Sequence, residues 1–273
     1  MADGPTLSSA AADEKDGATS KSQMRIDAHD VLIVIDVQND FCPGGALAVP
    51  RGDEVIEPIH RIAPRFAHIV LTQDWHTPDD SSFAASHPGK KPFESVELAY
   101  GLQTLWPNHC VQGTHGAEFH PALGLPQAEL VLRKGFRPQI DSYSAFFEND
   151  RTTPTGLAGY LRERGLNRVF LAGLAYDYCV GCSALDARRL GLQAFVLRDA
   201  CRAIDLNGSV AVIEAEFAKE GVIVIETAEI LDAAARLDAG EGIRQGLADA
   251  EAGRTEPARK FFNEFEKSRV KPR

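Results

Sequence analysis

Arg168-Val169-Phe170-Leu171-Ala172-Gly173-Leu174-Ala175 runs directly into Tyr176-Asp177-Tyr178-Cys179-Val180, and a helical pattern begins near Cys179. The first eight residues are apolar and nearly uninterrupted, which is how a strand buried on both faces of a parallel sheet reads. A thiol at the start of the following helix stands where unpaired backbone N–H groups and the helix dipole favour its anion. The competing reading is an ordinary buried cysteine packed as a small hydrophobe. Working outward, Val31 to Ile35, His68 to Thr72, Glu129 to Leu132, Gln193 to Leu197 and Val222 to Ile225 have the same character, with helical patterns between them. Six βα units in succession predict an α/β fold: a doubly wound, six-stranded, mostly parallel sheet with helices on both faces.

In such a sheet ligands bind beyond the carboxyl ends of the strands, where the strand order reverses. Asp36, Asp74, Lys134 and Cys179 each stand at one of those ends. Any one of them could be a solvated or packing residue. A carboxylate, an ammonium and a thiol on one rim, however, make a reaction centre.

Composition narrows the classes further. The 273 residues carry a formal net charge of −10 and no clustered basic face, which argues against a nucleic-acid partner. No apolar run approaches the length needed to span a membrane. Residues 1–27 read as a disordered or tag-like tail without the apolar centre of a secretory signal. The cytoplasm is therefore the expected location, with the five cysteines as free thiols. Residues 28–237 read as a single domain and 238–273 as a C-terminal helical extension. Phe261, Phe262 and Phe265 fall at helical spacing in that extension and form a stripe for docking on the chain's own domain or on another subunit of a homo-oligomer.

Several motifs carry a resemblance: Val34-Ile-Asp36-Val-Gln-Asn-Asp40-Phe41, Asp74-Trp-His76, Trp106-Pro-Asn-His109-Cys110-Val-Gln-Gly-Thr114, Lys134-Gly135 and Gly173-Leu-Ala175-Tyr-Asp-Tyr-Cys179. In this order, across roughly residues 28 to 232, the chain resembles the isochorismatase-like cysteine hydrolases, most closely their nicotinamidase (pyrazinamidase) branch. The resemblance implies an Asp36, Lys134 and Cys179 triad that hydrolyses nicotinamide, and by analogy pyrazinamide, through a Cys179 thioester in NAD salvage. It also implies an oxyanion hole from the backbone N–H groups of Ala175 and Cys179, a cis Leu174–Ala175 peptide, and aromatic walls from Phe41 and Trp106. Tyr143, a short way beyond Lys134, is a further candidate for closing the pocket.

Asp74 and His76, two residues apart at a strand end, and His109 from a distant loop offer one oxygen and two nitrogens, a set suited to zinc, iron or manganese. By spacing alone Asp-x-His is a weak signal, and the resemblance is what implies one divalent metal ion here. The family's further histidine is replaced by Asp80, which is expected either to ligate directly or to leave the position to water. Tyr176 stands where threonine is common, which predicts an altered pocket size. Gln38 and Asp40 read as orienting or turn-capping groups. Other readings are a carbamoyl-amine hydrolase, using the triad without the metal, and a non-catalytic ligand-binding or redox protein built on Cys179 and Cys182.

Overall fold

The computed structural model describes residues 25–254. Its centre is a sheet of six strands: β1 (Asp30–Ile35), β2 (His68–Asp74), β5 (Leu130–Lys134), β6 (Arg168–Leu174), β7 (Gln193–Arg202) and β8 (Ile223–Ile225). Their order is β5-β2-β1-β6-β7-β8 and every neighbouring pair is parallel. The chain adds strands outward on one side of β1, then returns to build the other side. Strand order therefore reverses between β1 and β6.

Side chains of successive strand residues point to opposite faces, and both faces here are apolar. Leu32, Val34, Leu71 and Phe170 pack toward one layer, where helices α1 (Ile56–Ile62) and α5 (Thr227–Glu251) lie. Val31, Ile33, Ile35 and Leu171 face the other, covered by α2 (Leu157–Glu163), α3 (Gly181–Arg189) and α4 (Ser209–Glu220). Phe170 and Phe195 stack across β6 and β7 with ring centroids 4.6 Å apart.

The expected alternation of strands and helices fails once. Between β2 and β5, residues 75–129 contain no α-helix and instead carry an antiparallel hairpin of β3 (Ser95–Leu98) and β4 (Gly101–Thr104). Most hairpin side chains are half-buried or exposed, so no continuous apolar stripe announced it. Helix α5 runs through residue 238 without a break. Ile230 near its start is buried, whereas Ile243 and Leu247 are exposed. The expected tail up to residue 24 and the Phe261, Phe262 and Phe265 stripe lie outside the described residues.

At the reversal point the backbones come very close. Gly173 has φ +116°, and a Cβ there would collide with the Ile35 carbonyl oxygen of β1. Only glycine fits that conformation and that approach together. Beyond Gly173 the Leu174–Ala175 peptide is cis, as the resemblance implied.

Candidate active site and metal centre

Beyond the carboxyl ends of the strands, Lys134 sits at the centre of the polar groups. Although β5 is an edge strand, its last side chain is fully buried, because Lys134 is paired in register with Asp74 and turns inward. Its Nζ lies 2.8 Å from Asp36 Oδ2, 2.8 Å from Asp74 Oδ1 and 3.5 Å from Cys179 Sγ, and it donates to the Ser142 carbonyl at 2.8 Å. The structure thus brings together the three residues singled out at three separate strand ends.

Asp36 follows β1 in a left-handed conformation, φ +48°, which aspartate tolerates better than most side chains. Thr72 holds it twice: the hydroxyl donates to Asp36 Oδ1 at 2.6 Å and accepts the Asp36 backbone N–H at 3.2 Å. Burial raises the Asp36 carboxyl above its ordinary range; Lys134 opposes that shift and Asp74 adds to it. Cys179 belongs to a wide π turn, Tyr176–Val180, that leads into α3. Burial pushes its thiol well above the usual value; Lys134 offsets this, while Asp36 and Asp74 reinforce it. Burial thus works against the thiolate that a helix start alone would favour, and it raises the affinity of the neighbouring Asp36 for a proton. Lys134 itself is held well above its ordinary value, because Asp36, Asp74 and Cys179 outweigh the penalty of burial.

The second constellation shares Asp74. While Oδ1 receives the ammonium, Oδ2 lies 3.1 Å from His76 Nε2 and 3.6 Å from His109 Nε2. The other nitrogen of each ring is held from behind: His76 Nδ1 is 3.1 Å from Asp80 Oδ2, and His109 Nδ1 is 2.8 Å from the Pro107 carbonyl. That arrangement turns both Nε2 atoms toward Asp74, the orientation a metal ligand needs. Donor atoms of Asp74, His76 and His109 all lie within 4.8 Å of one another and all three residues are buried. Burial disfavours a charged His76, yet Asp74 overcomes it and holds the ring well above its ordinary value. Burial likewise raises Asp74, but Lys134 and His76 override it and keep the carboxyl well below its usual range. The cluster calls for positive charge, and its donor set fits a divalent cation.

Asp80 stands behind His76, its Oδ2 on the Nδ1 side of the ring, and is not one of the three residues whose donor atoms cluster. Its Oδ1 also accepts the Ser82 N–H at 2.9 Å. Phe83, fully buried, packs edge-on against both imidazoles, at 5.3 Å from His76 and 5.5 Å from His109. Gln38 pairs with the Asp74 backbone in both directions at 2.8 Å, and Asp40 Oδ2 accepts the Cys110 N–H at 2.7 Å, which fixes the loop carrying His109. Both residues thus tie the rim together across the fold.

Between these groups lies a cavity of about 20 Å³, walled by Phe41, Trp106, Tyr143, Tyr178 and Ile204 and touched by Ala175 and Cys179. Trp106 Nε1 donates to the Tyr143 hydroxyl at 2.9 Å, and Gln103 from the hairpin donates to the same oxygen at 2.9 Å and to Asp141 at 2.8 Å. Asp141 also lines the cavity. Tyr176 does not, contrary to the expectation that it alters pocket size. It points into the opposite core, edge-on to Phe217, with its hydroxyl 3.3 Å from Glu214. A larger hollow of about 560 Å³ lies on the far side of Tyr143, beside Cys182 and Arg189, away from the triad. All five cysteines are free.

Sequence reasoning missed Thr72, Gln103, Asp141, Tyr178 and Ile204. Thr72 reads as one more β-branched strand residue, and Gln103 and Ile204 reach the pocket from distant parts of the chain. Asp141, two residues before Tyr143, and Tyr178, next to Cys179, carried a local signal.

Residues 30–229 match the Isochorismatase domain. The chain belongs to the isochorismatase family. Among curated members of this family, the nicotinamidase of Acinetobacter baylyi is 54% identical over 200 residues, which cover 73% of this chain and 94% of that protein. Among solved isochorismatase-family structures, the Acinetobacter baumanii nicotinamidase/pyrazinamidase superposes with a TM-score of 0.74 at 52% identity, covering 75% of this chain and 99% of that one. The pyrazinamidase of Pyrococcus horikoshii in complex with zinc gives 0.58 at 35% identity, covering 72% and 99%. Among the described residues no helix is long and apolar enough to cross a membrane.

Proposed function

We infer that this chain is a nicotinamidase, a cysteine amidohydrolase converting nicotinamide and water to nicotinate and ammonia, with pyrazinamide as a second substrate. The observation that carries this reading is Lys134 Nζ in contact with Asp36, Asp74 and Cys179, of which Asp74 and Cys179 line an aromatic-walled pocket. Similarity to nicotinamidases over most of the chain supports the choice of amide.

A carboxamide is a poor electrophile, and hydrolysis is easier in two steps through a thioester. Asp36 takes the Cys179 proton as the sulfur forms its bond to the carboxamide carbon; its raised affinity for a proton suits that task. Lys134 lies against both groups and steadies the negative charge as it passes from carboxylate to sulfur. The tetrahedral oxyanion is assigned to the backbone N–H groups of Ala175 and Cys179, preorganised donors of the kind worth roughly 3–4 kcal/mol each in other hydrolases. Collapse breaks the C–N bond, and Asp36 returns its proton to the departing ammonia. Asp36 then accepts a proton from the water that cleaves the thioester and returns it to the departing sulfur, releasing the thiol and nicotinic acid, which ionises to nicotinate. Phe41, Trp106 and Tyr143 supply flat faces for the pyridine ring.

Asp74, His76 and His109 would hold the metal, with Asp80 orienting His76. A cation bound there would supply Lewis acidity to the pocket. Zinc is the ion that the donor set fits well, and the P. horikoshii pyrazinamidase is described with it. Free thiols throughout fit a reducing, cytoplasmic setting, and exposed Ile243 and Leu247 on α5 are consistent with self-association.

The test is release of nicotinate and ammonia from nicotinamide by the purified protein, beside Cys179→Ala, with metal content measured on both. Turnover lost in the variant by at least ~10³-fold, with metal retained, is the expected result. Absence of turnover in folded, metal-loaded wild type would overturn the assignment.

A further inference from the structure

We propose that Asp177 is a positioning residue that straps Ile204 over the catalytic pocket, and that Ile204, so held, determines which ring-bearing carboxamides are admitted. The inference rests on the amidase reading above. At about 20 Å³ the cavity is smaller than a pyridine ring, so a ring enters only as a wall yields, and how firmly each wall is held decides what fits. Phe41 and Trp106 are almost completely buried, and Trp106 is tied to Tyr143. Ile204 differs from them. It is half-buried and comes from the connection between β7 and α4, outside any strand or helix.

One carboxylate bonds that connection at three points. Asp177 Oδ1 accepts the Ile204 N–H at 3.0 Å, while Oδ2 accepts the Asp205 N–H at 2.8 Å and the Ser209 hydroxyl at 2.5 Å. Asp205 and Asn207 both adopt left-handed conformations, φ +54°, so the chain doubles back sharply between the pocket wall and α4. Capping of α4 would account for the bond to Ser209, the first residue of that helix, but not for those to Ile204 and Asp205, which lie before it. Asp177 is itself almost completely buried and lies two residues before Cys179 on the same turn. Pocket wall and nucleophile are therefore positioned from a single short segment. The substrate class that follows is a flat, single-ring carboxamide with no substituent on the edge facing Ile204.

The experiment compares nicotinamide with its four ring-methylated isomers in wild type, Ile204→Ala, Ser209→Ala and Asp177→Asn. In Ile204→Ala, the ratio of kcat/KM for at least one methylnicotinamide to that for nicotinamide should rise roughly tenfold, the scale of one methyl group in an apolar pocket. Ser209→Ala and Asp177→Asn should shift the same ratio in the same direction, raising KM more than they lower kcat. In parallel, alkylation of Cys179 by neutral iodoacetamide, followed on its own peptide by mass spectrometry, should accelerate several-fold in all three variants. Unchanged substrate ratios in Ile204→Ala, or unchanged alkylation in both Ser209→Ala and Asp177→Asn, would overturn the proposal. If wild type hydrolyses no nicotinamide, the amidase reading fails and the alkylation series alone decides the strap: acceleration supports it and constancy overturns it.

Discussion

Replacing Thr72 by Val removes one hydroxyl from the site at nearly constant shape. That hydroxyl donates to Asp36 Oδ1 at 2.6 Å and accepts the Asp36 N–H at 3.2 Å. A hydrogen bond to an ionised group is worth about 1.5–3 kcal/mol, and a pH unit corresponds to about 1.4 kcal/mol. Because the lost donor favours the ionised carboxylate, the Asp36 pKa, already raised by burial, should climb by roughly 1–2 further units. A protonated Asp36 cannot take the Cys179 proton. The acid limb of the kcat/KM profile for nicotinamide should therefore move toward higher pH by that amount, with the plateau less affected. Stability should respond in a matching sense. The folded pKa of Asp36 lies above its unfolded value, so its contribution to stability is greatest below the unfolded pKa and declines as pH rises through the folded one. Thr72→Val should accordingly destabilise more at neutral pH, where an ionic bond is lost, than in acid, where a neutral one is. The assays are initial rates across pH and denaturant unfolding at two pH values. An acid limb that stays in place while stability falls would refute Asp36 as the base.

Asp80→Ala should weaken metal binding by about 10–100-fold, measured by competition with a chelating dye, because His76 loses the partner that orients its ring; unchanged affinity would mean the ring is set by packing alone. Asp30, fully buried beside Arg168, has its carboxyl raised by burial from 3.8 to about 6. Its folded state holds the proton longer than the unfolded chain does, so wild-type stability relative to Asp30→Asn should fall by about 2–3 kcal/mol between pH 4 and 6 and then level off. A flat difference across that interval in urea titrations would contradict the shift. Tyr176→Phe should leave KM for nicotinamide unchanged and cost no more than about 1 kcal/mol of stability, since it removes only the bond to Glu214 in the core opposite the pocket; a several-fold change in KM would place that ring nearer the substrate than it stands.

The six parallel strands were legible because each is a short apolar run with both faces buried, and the polar residue ending a run marks the rim where chemistry collects. Asp36, Lys134 and Cys179 obeyed that local rule, and Lys134 reached the centre because its strand partner is Asp74. The β3 and β4 hairpin was not legible, since its exposed and half-buried positions carry no core periodicity. Nor was the pocket wall. Whether Tyr176 or Tyr178 faces the substrate depends on how a wide π turn rotates successive side chains, and a pattern of residue types does not encode that rotation. Asp80, read as a replacement for a histidine, lies on the far side of His76 from Asp74 and His109, a placement that spacing along the chain does not encode. Its carboxylate finds the back of His76 before it finds the other donors.

Asp74 gives one oxygen to Lys134 and the other to the two histidines. In an evolving lineage this ties the fates of two centres to one codon. A descendant that discards the metal keeps an anion beside its lysine, and one that discards the anion unsettles the ammonium serving the nucleophile. Drift at position 74 thus bears on both at once, whereas a change at His109, reached from a separate loop, leaves the partners of the lysine in place.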